Sequence, residues 1–372
     1  MTLDEYQREA FKTARIDWSN PRKRHIPAFG TIGELGSLVS ELKKSLRDGR
    51  AYTEGGQNII EEFGDVLWYL AAICSHYKFK MSELIARSPP LKLPRRRFAH
   101  IYAMVRTIPT LTEEFESFPA RPTPAQRRKL ADSIGAAGRI TLQALQVEKL
   151  DLATVLSANL SKVHSMFSKE IRPARCFDGH KTPDYERLPR RLHIQFLERR
   201  RGKDRREVIM RVNGLNIGDR LTDNAAMEDG YRYHDAFHLG FTAALGWSPV
   251  IRSVFRCKRK NNPQKDEVED GARAAIIEEA IAQTVFNYAL GHSMLRKLDR
   301  LDHGFLKLIR RMARNLEVNV CELHEWQRAI LVGFKAFRDL TENRGGWLIL
   351  NAEKQSLTYS KKAPPGARIH GR

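Results

Sequence analysis

A mainly α-helical chain with one small antiparallel sheet towards its C-terminal end is what this sequence predicts, and three patterns predict it. Ile32, Leu35, Leu38, Val39 and Leu42 recur at helical spacing, as in a helix that buries one stripe. The apolar run Val66 to Cys74 extends that behaviour into the next segment. Far downstream the period changes to two. Leu192, Ile194 and Phe196 alternate with polar residues, as do Val208, Met210 and Val212 across a charged turn containing Gly202, which reads as a β-hairpin. At 372 residues the chain has length for two or three domains. The expected organisation is a helical bundle region over 1–170, a linker over 171–187, a helical domain with the hairpin over 188–360, and a disordered basic tail over 361–372.

The elements follow in order. Thr2 and Glu5 have the spacing of a capping box, which starts a first helix with Tyr6 and Ala10 on one face. Gly30 to Lys44 is the second helix, and residues 60–74 belong to the third. Pro89, Pro90, Pro94 and the stretch Pro119 to Pro124 mark breaks, with helices expected at 97–105 and 124–146. Thr110 to Glu116 is acidic but shows no metal-ligand spacing. After Pro173, helices are expected at 222–246, 268–297, 302–315 and 320–342. A Gly345-Gly346 turn then leads into a strand at 347–350 and another at 357–359.

Chemistry enters with the acids. Glu62 and Asp65 stand three apart just before the apolar run, so on a helix they share a face. Two carboxylates at the margin of a buried surface are costly unless a cation offsets them, and oxygen-only ligands suit Mg²⁺ or Mn²⁺. The competing reading is a solvated acidic turn that complements the helix dipole. On the preceding helix Glu34 and Glu41 lie seven apart and point the same way. Acids facing one another across two packed helices form a known type of metal site.

Leu3-Asp4-Glu5-Tyr6-Gln7, Gly33-Glu34-Leu35-Gly36 and Glu61-Glu62-Phe63-Gly64-Asp65-Val66-Leu67-Trp68-Tyr69-Leu70 together resemble the MazG-like all-α NTP pyrophosphohydrolases. The resemblance covers about residues 1 to 90. It implies Mg²⁺ (or Mn²⁺) held by acids of an EExxE and an ExxD motif, and cleavage of a nucleoside triphosphate to the monophosphate and pyrophosphate. The second motif is complete as Glu62 and Asp65. The first is eroded: Glu34 matches, but Gly33 and Ser37 stand where glutamates belong. The site so implied has Glu34, Glu62 and Asp65 as catalytic metal ligands; the helical spacing adds Glu41 as a further candidate ligand, and Lys43 and Lys44 are candidate phosphate partners, with ordinary surface lysines as the alternative. The resemblance also implies dimers or tetramers that complete the bundle between chains, so a homodimer is one expected assembly.

A weak self-similarity appears at a shift of 71 residues. Ile60 to Asp65 lies over Ala131 to Ala136, with Gly64 over Gly135, and Lys80 to Ala86 lies over Asp151 to Ser157. Ser133 and Ala136 replace Glu62 and Asp65, so the copy (about 95–170) keeps the packing pattern without the ligands. Convergent helical periodicity is the alternative. In the copy, Ser157 to Val163 resembles the family's terminal helix, where an asparagine and a lysine three later contact the nucleotide; here these are Asn159 and Lys162. The first half has Arg87-Ser88-Pro89-Pro90 there, and proline stops a helix. A division of labour follows, with metal acids from the first half and phosphate contacts from the second.

The C-terminal half carries its own cluster. His234 and His238 are at i and i+4, a chelating spacing, and Asp235 falls between them. Glu278 and Glu279 precede the apolar stretch Ala280 to Leu290 and echo the Glu-Glu-x-x-Asp pattern, with Ala282 in place of the aspartate. There is no HExxH glutamate, and the flanking His and Asp of an HD phosphohydrolase are missing. The cluster is either a second metal or phosphate site or a structural polar knot. This half is similar to C-terminal regions of MazG-like proteins, a likeness that transfers no residue roles.

Composition narrows the rest. Cys74, Cys176, Cys257 and Cys321 are far apart with no CxxC, which argues against a zinc knuckle or a disulfide framework. The longest apolar run is too short to cross a bilayer, and the charged, amphipathic N-terminus does not read as a signal peptide, so a cytoplasmic location is expected. The net charge of +20 is concentrated in Pro21 to Arg24, Pro94 to Arg97, Arg187 to Arg206 and Arg256 to Lys260. Such surfaces attract phosphates on nucleotides or on nucleic acid. The second functional expectation is therefore a non-catalytic nucleotide or nucleic-acid binding protein on a decayed scaffold.

Overall fold

Thr2 opens the first helix as its sequence demands. Its hydroxyl accepts the Glu5 N–H (3.2 Å) while the Glu5 carboxylate accepts the Thr2 N–H (2.7 Å), closing the capping box. The structure, a computed structural model, describes residues 1–20, 22–52, 55–119, 121–167, 174–201 and 205–367. They form two units, Met1–Phe167 and Ser168–Arg372, each with its own hydrophobic core. The chain is mainly α, with one five-stranded antiparallel sheet in the second unit.

The first unit is helical throughout: α1 (Leu3–Thr13), α2 (Ile26–Asp48), α3 (Gly55–His76), α4 (Met81–Arg87), α5 (Ala99–Thr107), α6 (Thr110–Glu116), α7 (Pro124–Val147) and α8 (Leu152–Phe167). Tyr6 and Ala10 are fully buried, as the α1 pattern requires. Helices α2 and α3 form the most extensive pairing of this unit. Gly30 permits it, because a Cβ there would collide with the Tyr69 ring. Helix α3 presents Phe63, Val66, Leu67 and Leu70 to the core, all with no exposed surface. Helix α7 starts where proline tolerates a helix: Thr123 caps it through Gln126, and Pro124 needs no N–H partner in the first turn.

The second unit builds a sheet in the order β3-β2-β1-β4-β5 from β1 (Arg191–Arg201), β2 (Arg205–Val212), β3 (Leu215–Leu221), β4 (Gly345–Asn351) and β5 (Ser356–Ser360). The hairpin register sets Ile194 opposite Val212 and Phe196 opposite Met210, which puts alternate apolar side chains on the core face. The turn around Gly202 lies outside the described residues. Helices α9 (Asp235–Leu245), α10 (Pro249–Val254), α11 (Pro263–Val268), α12 (Ala272–Leu290), α13 (His303–Met312) and α14 (Leu323–Asn343) complete the unit. Helices α9 and α14 cross at Gly240 and Gly333, where a Cβ on Gly240 would come within 2.7 Å of the Gly333 Cα. Phe237, Phe334 and Phe337 stack around this crossing.

The expected helix over 222–246 is too long. Leu221 ends a strand, and the helix begins only at Asp235, after the Gly230 turn (φ 86°) and a 3₁₀ turn at Tyr231–Tyr233. Residues 174–187, expected to be a linker, are irregular but anchored. Cys176 is buried in the core of this unit, and Asp178 pairs with the buried Arg252. Of the expected basic tail, residues 368–372 lie outside the described residues.

Candidate metal centre

Three acids from two helices meet. One carboxylate oxygen from each of Glu34 on α2, and Glu62 and Asp65 on α3, lies within 4.8 Å of the others. The α2–α3 pairing permitted by Gly30 brings them together, and the one-turn separation of Glu62 and Asp65 keeps both on the facing side of α3. Glu62 Oε2 is buried and accepts no hydrogen bond. Burial, then the neighbouring Glu34 and Asp65 carboxylates, push its acidity constant up to about 8, with Lys162 pulling the other way.

Asp65 is held from a distant helix. Asn159 Nδ2 on α8 donates to Asp65 Oδ1 (2.7 Å), and Lys162 pairs with Asp65 Oδ2. The buried Tyr6 hydroxyl donates to Asn159 Oδ1 (2.7 Å), and so fixes which way the amide faces. Gly64 makes this approach sterically feasible: a Cβ there would sit 2.8 Å from the Asn159 Cβ. Lys162 is also 3.9 Å from Glu61, and these attractions outweigh its burial and raise its acidity constant. Sequence spacing does not mark Tyr6 or Glu61 as site residues. Tyr6 and Asn159 are 153 positions apart, and nothing local links them.

Three expected site residues sit elsewhere. Glu41 is buried away from the acid cluster, where it accepts from Lys44 (2.6 Å) and Asn58 Nδ2 (3.0 Å). Seven residues along a helix keep a side chain on the same face but carry it about 10 Å along the axis, too far to share an ion with Glu34. Lys44 is the partner of Glu41, and Lys43 is exposed along an apolar groove between α2 and α5.

In the second unit His234, Asp235 and His238 bring one ligand atom each within 4.8 Å, and Glu278 and Glu279 of α12 lie beside them. Many basic residues that looked like surface patches are paired internally. Arg259 is buried against Asp270 and Glu317, Arg190 holds Asp178, and Arg206 holds Glu198.

The family model described as the MazG C-terminal domain matches residues 172–363, just over half of the chain. The chain belongs to the MazG C-terminal domain family. The match spans the whole sheet, helices α9 to α14 and the His234 cluster, whereas the Glu34–Glu62–Asp65 centre lies outside it. A 94-residue stretch, 24% of this MazG C-terminal domain protein, is 30% identical to the "Gene 37 protein" of Mycobacterium phage L5 and covers 82% of that protein. No solved structure matches the chain. Among the described residues, no helix is long and apolar enough to cross a membrane.

Proposed function

We propose that the first unit is a metal-dependent nucleoside triphosphate pyrophosphohydrolase, converting an NTP to the monophosphate and pyrophosphate. One observation carries the reading: three carboxylates converge within 4.8 Å, and a buried Glu62 oxygen among them accepts no hydrogen bond. A divalent cation is the ordinary partner for such an atom, and an all-oxygen donor set fits Mg²⁺ or Mn²⁺. Membership of a MazG-related family is consistent with this chemistry without specifying it. When bound, the ion would offset the charge of the triphosphate and make an attacking water more acidic.

The chain's own residues would do the rest. Asn159, locked by Tyr6, holds Asp65 in place as a ligand. Lys162 neutralises Asp65 in the resting protein and can turn to a phosphate oxygen, since both groups lie at the same partly exposed rim. A carboxylate of this cluster that the ion does not fully engage would take the proton of the attacking water.

We also infer that the first unit is an internal duplication with one surviving site. In support, Gly64 of α3 packs on Asn159, and Gly135, 71 positions on in α7, packs on Ser88, which is the same distance before Asn159. Each half thus lends its terminal segment to the other's long helix. The cavity of about 570 Å³ beside Ser88, Leu91, Asp132 and Ala136 is then the mate of the acid centre, and Ala136 stands where Asp65 would be.

Pyrophosphate release from a panel of NTPs with Mg²⁺ or Mn²⁺ tests the reading. Glu62→Gln and Asp65→Asn are each expected to lower the rate by about 10²-fold or more. Activity that survives Asp65→Asn contradicts the assignment. A second reading, nucleotide binding without turnover, is favoured by Gly33 and Ser37 at the eroded positions. It predicts Mg²⁺-dependent NTP binding with no pyrophosphate released.

A further inference from the structure

We propose that the second unit holds a divalent transition-metal ion, ligated by His234, Asp235, His238 and Glu279, with Glu278 as the carboxylate that orients His238. The decisive atom is His238 Nε2. The His238 side chain has no exposed surface, yet Nε2 makes no hydrogen bond, and Glu279 Oε2 lies 3.4 Å away. A buried ring nitrogen that faces a carboxylate but meets no hydrogen-bond geometry costs free energy unless something binds its lone pair.

The other nitrogens explain why both lone pairs face the same place. His238 Nδ1–H donates to Glu278 Oε1 (2.8 Å), and His234 Nδ1–H donates to the Tyr231 carbonyl (3.0 Å). Each ring therefore carries its proton on Nδ1 and turns Nε2 towards the other ligands. Behind a metal-binding histidine, a carboxylate or carbonyl commonly fixes the tautomer in this way. Glu278 is itself immobilised, accepting from Ser248 Oγ (2.6 Å) and the Val250 N–H (2.8 Å) while fully buried. It is an orienting residue, with three of its acceptor positions already engaged.

The ligands come from rigid ground. His234 caps α9, Asp235 starts it and His238 lies one turn on, while Glu279 reaches across from α12. His234 Nε2 is 4.0 Å from Asp235 Oδ1 and 3.9 Å from Glu279 Oε2, distances that an ion between them would close. Two imidazoles beside carboxylates suit a borderline ion such as Zn²⁺ over Mg²⁺ or Ca²⁺. The Glu279 side chain is 45% exposed, so one side of the site is open to solvent, as in sites that keep a position for water or substrate.

Zinc calorimetry on the full-length Asp65→Asn chain, which weakens the first-unit acid cluster, tests the proposal. One Zn²⁺ per chain is expected, with Mg²⁺ unable to displace it. His234→Gln and, separately, Glu279→Gln should weaken binding about tenfold or more. Both variants leave the Glu278–His238 pair intact, and their metal-free thermal midpoints report that they fold. Zn²⁺ should raise the midpoint of the Asp65→Asn chain and not that of the His234→Gln derivative. No stoichiometric Zn²⁺ uptake, or uptake unaffected by both substitutions, overturns the proposal and leaves His238 as a protonated ring between two carboxylates.

Discussion

Glu62 shows how one side chain reports on its neighbours. Burial and the adjoining acids raise its folded acidity constant from 4.5 to about 8, so the folded metal-free protein prefers the protonated form. The contribution of this group to stability is therefore complete below about pH 4.5 and lost as pH rises through 8. Chemical denaturation of the metal-free protein across that window should show Glu62→Gln gaining on wild type as pH rises, and saturating Mg²⁺ or Mn²⁺ should reverse the order at high pH. A pH-independent difference between the two proteins would contradict the assigned environment. The Glu62–Asp65 pair is legible in the sequence because its spacing puts both acids on one face. Glu41 misleads because a shared face is not a shared level along the helix. The Tyr6–Asn159 contact is out of reach, since only the folded packing of α1, α3 and α8 creates it.

At the scale of elements, the glycines of α2 separate packing from accident. A Cβ on Gly33 or Gly36 would meet nothing within 4 Å, whereas one on Gly30 would collide with the Tyr69 ring. Gly33→Ala and Gly36→Ala should each stabilise the protein by about 0.5–1 kcal/mol, because alanine loses less backbone freedom in a helix. Gly30→Ala should destabilise it by about 1–3 kcal/mol through overpacking. Thermal or urea unfolding of the three variants decides it, and equal effects would mean that α2 and α3 do not approach as described. Most helices are readable from the apolar period, and the first also from its capping box at Thr2. Strand β3 is not: it is an edge strand with almost no burial, so it has no alternation to read. Its one local signal is Asn213-Gly214, both at positive φ, the residue pair of a tight hairpin turn. The helix expected from 222 fails because the residues before Asp235 are tied down by polar contacts, such as the Arg232–Asp223 pair, that no periodicity reveals.

For the whole molecule, the net charge of +20 overstates the free positive surface. Arginines 190, 206, 252 and 259 spend their charge on internal carboxylates, and the buried pairs Arg252–Asp178 and Arg259–Asp270 pin loops to the core of the second unit. Sequence runs of basic residues could not show this, because their acidic partners lie up to 74 positions away. The two candidate sites also differ in donor atoms: oxygen alone in the first unit, nitrogen and oxygen in the second. In the proposed centre Glu34, Glu62 and Asp65 share one hard cation. Calorimetric titration of Mg²⁺ into the full-length chain and into Glu62→Gln tests it most directly. One Mg²⁺ per wild-type chain is expected, with binding weakened about tenfold or more by the substitution; equal Mg²⁺ affinity in the two proteins would contradict a shared ion.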